Sequence, residues 1–397
     1  MKTVKQKKNF RSAFRNFLTI ACVMVIGVLS QSCGASASGT DDQDAASQKV
    51  WQSTIDDSIQ GIAEQELRKL CTDAEPVWAT AVVMDVATGD IKALANLERV
   101  DSLDASKGYI EKHNYAISCN ETSSVMNVIS MLVALEDSIV VDVNERITTG
   151  SSWAYSSAYP ISDAHAYPDL SVTEVISRSS NIGIAKIITV AYGDNPQAFG
   201  ERLMGLGMTV DSLGAGVMVD KPVMRFTGNE NADRILLSRM SYGYGMAVAP
   251  IHILAVYNAI ANGGQLVTPR LETNGKVGRA KRICSEANAQ KLREMMHAVI
   301  SDVHGTGKSL RNPDVEIAGK TGTAYVAVDG KYTMDKRHSF CGFFPYDNPR
   351  YSCIVVCESA KYGATGNCGK VFLGIAKGLC ANATLNNLLY NILIIRR

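Results

Sequence analysis

The sequence predicts an α+β fold in which one antiparallel sheet joins strands from both ends of the chain across a long helical middle. Three observations lead there. Two apolar runs flank Ala87-Thr-Gly-Asp90 as a hairpin, helical patterns dominate residues 124–262, and three more strand patterns lie between Val315 and Glu358.

The elements follow in order. A helix is expected from Ser53 or Asp56 to about Leu70, because Ile59, Ile62, Ala63, Leu67 and Leu70 recur at helical spacing. Trp78 to Val86 reads as a strand, Gly89 supplies the turn, and Ile91 to Leu97 returns. Residues 98–120 read as irregular. Residues 124–136 are apolar nearly all round, the mark of a helix buried on every side. Ser171 to about Val190 reads as two helical pieces meeting near Ser179–Asn181. Ser238 to Asn262 is helix-rich and broken by Gly243, Gly245 and Pro250, and Ala287 to Val303 reads as an amphipathic helix. Strands are expected over Val315–Val328, Ser339–Pro345 and Tyr351–Glu358, then a closing helix over Val371–Cys380.

Composition bounds the function classes. The chain has 397 residues, 46% apolar and 20% charged, with a mean hydropathy of zero. These values exclude wholesale disorder, collagen-like repeats and a multi-span membrane protein. The net charge of +1 hides an asymmetry. Lys2, Lys5, Lys7, Lys8, Arg11 and Arg15 precede Cys33 with no acid among them, so acids outnumber bases in the remainder. An acidic body disfavours nucleic acid as a partner.

The basic start, the apolar run Phe17 to Leu29 and the small residues around Cys33 have the form of an export signal. Cys33 is the candidate lipid-attachment residue, although Ser30 stands three places before it where Leu is usual. A cleaved lipoprotein, an uncleaved anchor and plain secretion remain open, and all three put the rest of the chain outside the cytoplasm. The organisation expected is a signal or anchor over 1–33, a flexible Ser/Ala/Gly/Asp/Gln-rich tether over 34–52, one domain over 53–382 and an apolar tail over 383–397 with no assigned role. Cys22 lies within the signal. Of the eight cysteines after it, Cys353 and Cys357 fall on one side of a strand. Export permits disulfides, but spacing selects no pairing, and buried free thiols are the alternative. No Cys-x-x-Cys occurs and the six His are scattered, so no metal site and no cofactor are expected.

Three short segments carry the chemistry: Glu121-Thr-Ser-Ser-Val-Met-Asn127 opening the buried helix, Ser179-Ser-Asn181, and Lys320-Thr-Gly-Thr323 on a strand. Between them lie Ser241-Tyr-Gly-Tyr-Gly245 and Asn258-Ala-Ile-Ala-Asn-Gly-Gly264. Gly305-Thr-Gly-Lys308 imitates a phosphate loop, but Asp302 occupies the place of its first glycine.

With Met84-Asp-Val-Ala-Thr-Gly-Asp-Ile-Lys-Ala-Leu-Ala95, Phe340-Cys-Gly-Phe-Phe-Pro345 and Asp347-Asn-Pro-Arg350, these segments resemble, in order, the transpeptidase domain of class B penicillin-binding proteins. The resemblance implies a β-lactamase/transpeptidase-like fold: an antiparallel sheet flanked by helices, with an all-helical subregion. It also implies serine acyl transfer on D-Ala–D-Ala stem peptides of peptidoglycan, or on the β-lactam ring that mimics them. Carried over by position, Ser124 is the nucleophile. Ser179 and Asn181 form the second catalytic element and Lys320 heads the third. Thr321, Gly322 and Thr323 line the substrate, and Thr323 is a donor to its carboxylate.

One departure matters. The base Lys of the family's Ser-x-x-Lys motif is replaced by Asn127, and no Lys in the chain has Ser three residues earlier. An amide accepts no proton near neutral pH, and general-base catalysis is typically worth about 10²–10⁴-fold. Lys320 acting through Ser179 is an escape route, given a depressed pKa.

Plainer roles stand beside these. Ser124 could cap the buried helix, Asn127 could be a hydrogen-bonded core amide placed to touch substrate, and Lys320 could be a surface lysine on a strand. Two functions therefore stay open. One is an impaired acyltransferase of peptidoglycan synthesis, and the other is a non-catalytic peptidoglycan-binding or scaffold protein of the cell envelope. A β-lactamase is the weaker third, since no deacylating Glu is evident near the motifs. Expected partners are the stem peptide or a β-lactam, the membrane through the N-terminus, and wall-synthesis proteins.

Overall fold

The computed structural model describes residues 51–155, 160–274, 280–328 and 330–381. The signal, Cys33, the tether up to residue 50 and the tail lie outside them. The chain enters at Gln52–Ser53, a short strand paired with Glu272–Thr273, so the last tether residues are already held.

Helix α1, Asp57–Ala74, starts where Asp56 accepts hydrogen bonds from the Ser58 and Ile59 amides at 3.0 and 3.1 Å. It buries Ile59, Ala63, Leu67, Leu70, Cys71 and Ala74 along one face. Strands β1, Trp78–Asp85, and β2, Ile91–Asp101, form the expected hairpin. Residues 98–120 are not irregular throughout. Strand β3, Asp104–Ile110, pairs with β2, Glu98 opposite Ile110 and Arg99 opposite Tyr109. Its sequence is polar and exposed, and an edge strand with no buried face leaves no alternating signal.

Strands β4 (Ala318–Val328), β5 (Lys331–Phe344) and β6 (Tyr351–Glu358) complete an antiparallel sheet in the order β4-β5-β6-β1-β2-β3. The first and last thirds of the chain meet where β6 pairs with β1, from Tyr351 opposite Asp85 to Glu358 opposite Trp78. Residues 370–381 are helical and lie against α1: a Cβ on Gly374 would meet Glu66, and one on Gly378 would meet Ile62.

Helices α2 (Met126–Glu136), α3 (Asn181–Tyr192), α4 (Pro250–Ala261) and α5 (Glu286–Ser301) form the helical middle. The stretch expected over Ser238–Asn262 is two helices, Glu230–Met240 and α4, because Gly243 and Gly245 take positive φ between them and Pro250 starts the second. Every residue of α4 is buried. Asn258 on it donates to the Val86 carbonyl (3.1 Å) and accepts from Ser352 (2.7 Å), tying α4 to the turn that follows β1 and to β6.

Candidate active site

Ser124 does not cap a helix. It sits in a 3-10 turn, Ser123–Val125, that runs into α2, and its Oγ has no hydrogen-bond partner among the described residues. The turn is fixed from three sides. Tyr257 on α4 donates to the Val125 carbonyl at 2.7 Å. Ser123 has φ +62° and its amide donates to the Gly243 carbonyl at 3.2 Å. A Cβ on Gly243 would lie 2.1 Å from the Ser123 carbonyl, so only glycine fits there. The Ser123 hydroxyl donates to the Thr122 carbonyl and faces Ser339 Oγ at 3.3 Å. A Cβ on Gly322 would meet both hydroxyls near 2.2 and 2.3 Å, so glycine at 322 lets the turn lie against β4.

Asn127 is 0% exposed, and neither amide atom has a hydrogen-bond partner. The core-amide reading with satisfied bonds is therefore corrected: the buried first turn of α2 offers the amide no hydrogen-bond partner among the described residues.

The elbow between Val172–Ser177 and α3 holds the second segment. Ser179 has φ +60°, and α3 is capped by Ser180, whose Oγ accepts from the Gly183 amide at 2.9 Å. Asp163, on the hairpin Arg146–Trp153/Ile161–Ser171, accepts from Ser180 Oγ at 2.5 Å and the Ile182 amide at 3.0 Å. Burial pushes the Asp163 carboxyl up, and these donors only partly offset it. Asn181 donates to the Ser162 carbonyl at 3.3 Å, and its own Oδ1 is buried without a partner.

Lys320 is not a surface lysine; it is 0% exposed. Its Nζ lies 2.7 Å from Ser179 Oγ and donates to the Thr321 carbonyl at 2.9 Å. It makes no ion pair among the described residues, and burial lowers its pKa from 10.5 to about 7. Thr321 Oγ1 meets Thr306 Oγ1 at 2.9 Å. Exposed Thr323 carries its Oγ1 3.2 Å from Nδ1 of His338, whose pKa burial lowers to about 4, so that imidazole is neutral near pH 7.

The structure thus brings Ser179, Lys320 and Thr321 together, seats Ser123 and Val125 against Gly322, and leaves Asn127 buried without a hydrogen-bond partner among the described residues. Residues missed from the sequence hold these parts. Thr306 donates its amide to the Ser177 carbonyl at 3.0 Å and accepts from Thr365 at 3.0 Å, so the phosphate-loop mimic is a strut joining elbow and strand. Tyr244 Oη accepts from the Tyr325 amide at 3.3 Å along the free edge of β4. Tyr244 lay inside a recognised motif and Thr306 inside the rejected phosphate-loop imitation; Asp163 and His338 act through contacts distant in sequence. Of the eight described cysteines, Cys71, Cys119, Cys284, Cys341, Cys353, Cys357 and Cys368 are free thiols, all but Cys119 buried, with Cys357 and Cys368 sulfurs 3.4 Å apart.

Two outcomes follow. Replacing Asn127→Leu removes two unpaired buried polar atoms and should raise stability by about 1–3 kcal/mol in denaturant unfolding; a loss of stability would show that the amide is satisfied after all. For Lys320 the unfolded chain holds a proton between about pH 7 and 10.5 that the folded chain has released. Stability should therefore rise with pH through that window, by up to about 1.4 kcal/mol per unit, relative to the Lys320→Met variant measured alongside. Parallel pH profiles for the two proteins contradict a depressed Lys320.

Comparison with known proteins fits this geometry. The model of the penicillin binding protein transpeptidase domain matches residues 79–376. A protein of Neisseria meningitidis named probable peptidoglycan D,D-transpeptidase PenA is 29% identical over 320 residues, 79% of this chain and 53% of that protein. The probable peptidoglycan D,D-transpeptidase FtsI of Caulobacter vibrioides is 27% identical over 327 residues, 79% and 54% respectively. The chain spans about half the length of these curated relatives. The transpeptidase domain of penicillin-binding protein 3 from Burkholderia pseudomallei superposes with a TM-score of 0.72 at 27% identity, covering 87% of this chain and 98% of that one. From Ala79 to Ala376, fold and sequence agree on one origin: the chain belongs to the penicillin-binding protein transpeptidase domain family, in its class B branch.

Proposed function

We propose that this protein works in peptidoglycan synthesis by binding D-Ala–D-Ala stem peptides in the cleft beside β4, with acyl transfer at Ser124 impaired. The observation that carries this is the state of the first segment. Ser124 Oγ has no partner among the described residues, and the place one turn later is filled by Asn127, which takes no proton. The one amine in the cleft segments, Lys320, is already engaged by Ser179 and the Thr321 carbonyl. The recognition surface is intact by comparison. Thr323 is exposed on the edge strand, and neutral His338 beside it can donate to or accept from its hydroxyl, according to tautomer.

The same observation supports a second reading, a non-catalytic peptidoglycan-binding or scaffold protein in the envelope. Fluorescent penicillin labelling with site mapping separates the two. Ser124 should acylate at least ~10²-fold more slowly than in the Burkholderia pseudomallei domain, and Asn127→Lys should recover much of that loss. Rapid capture at wild-type Ser124 would falsify the impairment, whereas no reaction at Ser124 under any pH leaves the binding role.

The basic and apolar N-terminal segment supports a place for the domain on the outer side of a membrane, held through lipid on Cys33 or an uncleaved anchor, or secreted, and within reach of membrane-proximal precursor and of wall-synthesis proteins. Cell fractionation checks the anchor: the protein should sediment with membranes, and recovery in the soluble fraction counts against it.

A further inference from the structure

We propose that Ser179, rather than Ser124, is the nucleophile of this cleft, with Lys320 as its base, a Ser–Lys dyad assembled across the helix elbow and the edge strand. The inference rests on the reading above for its substrate class, an acyl–D-Ala amide or a β-lactam, but it moves the chemistry to a different hydroxyl.

Four features support it. First, the nucleophile–base contact is made: Ser179 Oγ and Lys320 Nζ are 2.7 Å apart, and Lys320 is the hydroxyl's hydrogen-bond partner among the described residues. Second, the amine is oriented by the Thr321 carbonyl and has no carboxylate to hold it charged. The titratable group opposite it on β5 is Cys341, a buried thiol pushed well above its ordinary value, so it brings no charge either. The neutral amine has a lone pair free for the Ser179 proton, which is what a general base requires. Third, Ser179 is the half-buried member of the pair and is presented on a left-handed residue between two helices. That backbone conformation is one a non-glycine residue adopts only where its surroundings hold it there, and such residues cluster at functional sites. Thr306 and Asp163 brace this elbow from either side. Fourth, β4 is the end strand of the sheet. The Tyr325 amide and the Thr321 carbonyl point away from β5, to Tyr244 and Lys320, so strand alternation puts the Thr323 amide on the same open side, where it can donate to a developing oxyanion.

The step balances without any further reactant. The Ser179 proton passes to Lys320 Nζ as the bond from Oγ to the acyl carbon forms. As the carbon–nitrogen bond of the amide or lactam breaks, the Lys320 ammonium returns the proton to the departing nitrogen. The product is an ester on Ser179 and a neutral Lys320. Ser124, with no base of its own, takes no part in the proton transfer.

The test maps the acylated peptide after full-length protein is treated with a fluorescent penicillin. Wild type, Ser124→Ala, Ser179→Ala and Lys320→Arg are compared, with reversible binding followed in parallel by thermal shift. The adduct is expected on the peptide that carries Ser179. It should persist within about twofold in Ser124→Ala and fall by about 10²-fold or more in Ser179→Ala and Lys320→Arg. An adduct formed chiefly on Ser124, or one abolished by Ser124→Ala, overturns the dyad; a trace of slow Ser124 labelling beside a dominant Ser179 adduct does not. Reversible binding with no adduct on any serine also overturns it while leaving stem-peptide recognition standing; the absence of both adduct and binding removes the two together.

Discussion

The site depends on one buried amine. Lys320 lies in β4, wholly removed from solvent, and among the described residues its compensation is a hydroxyl and a carbonyl. A charged ammonium in that position lacks the counter-ion that burial normally demands, so the neutral form is favoured and the pKa falls to about 7. Structure and chemistry share this constraint. The same desolvation that makes Lys320 costly to protonate makes it able to accept a proton.

Holding that amine against Ser179 takes parts from across the chain. The elbow is tethered from the hairpin by Asp163 and from the loop after α5 by Thr306, which also meets Thr321 on the strand itself. The opposite wall is set by the Ser123–Val125 turn, whose closeness to β4 requires glycine at 322 and whose backbone is met by glycine at 243. Each tether is a single hydrogen bond or close approach, and together they fix three segments from distant parts of the sequence in one place.

Asn127 stands where the resemblance to the family expects a lysine, and its amide finds no hydrogen-bond partner among the described residues. The position lies deep in the first turn of α2. Two orphaned polar atoms are a burden on stability, which argues that the residue was not selected as a core element.

By itself, the sequence determined the order and type of most elements and which segments carry chemistry, because apolar spacing and short motifs are local signals. The two helical pieces meeting near Ser179, the all-buried helix after Ser124 and the Tyr351–Glu358 strand were legible to within a few residues. Strand β3 was not, since a polar edge strand buries no face and leaves no period to read. Tertiary structure alone decided that Lys320 is buried, with its pKa lowered to about 7, rather than exposed, that Asn127 is unpaired rather than bonded, and that Thr306, Asp163 and His338 meet these segments. Burial and hydrogen-bond satisfaction depend on groups far away in the chain. A residue's pattern along the sequence says which way it faces, but only the packed fold supplies what it meets.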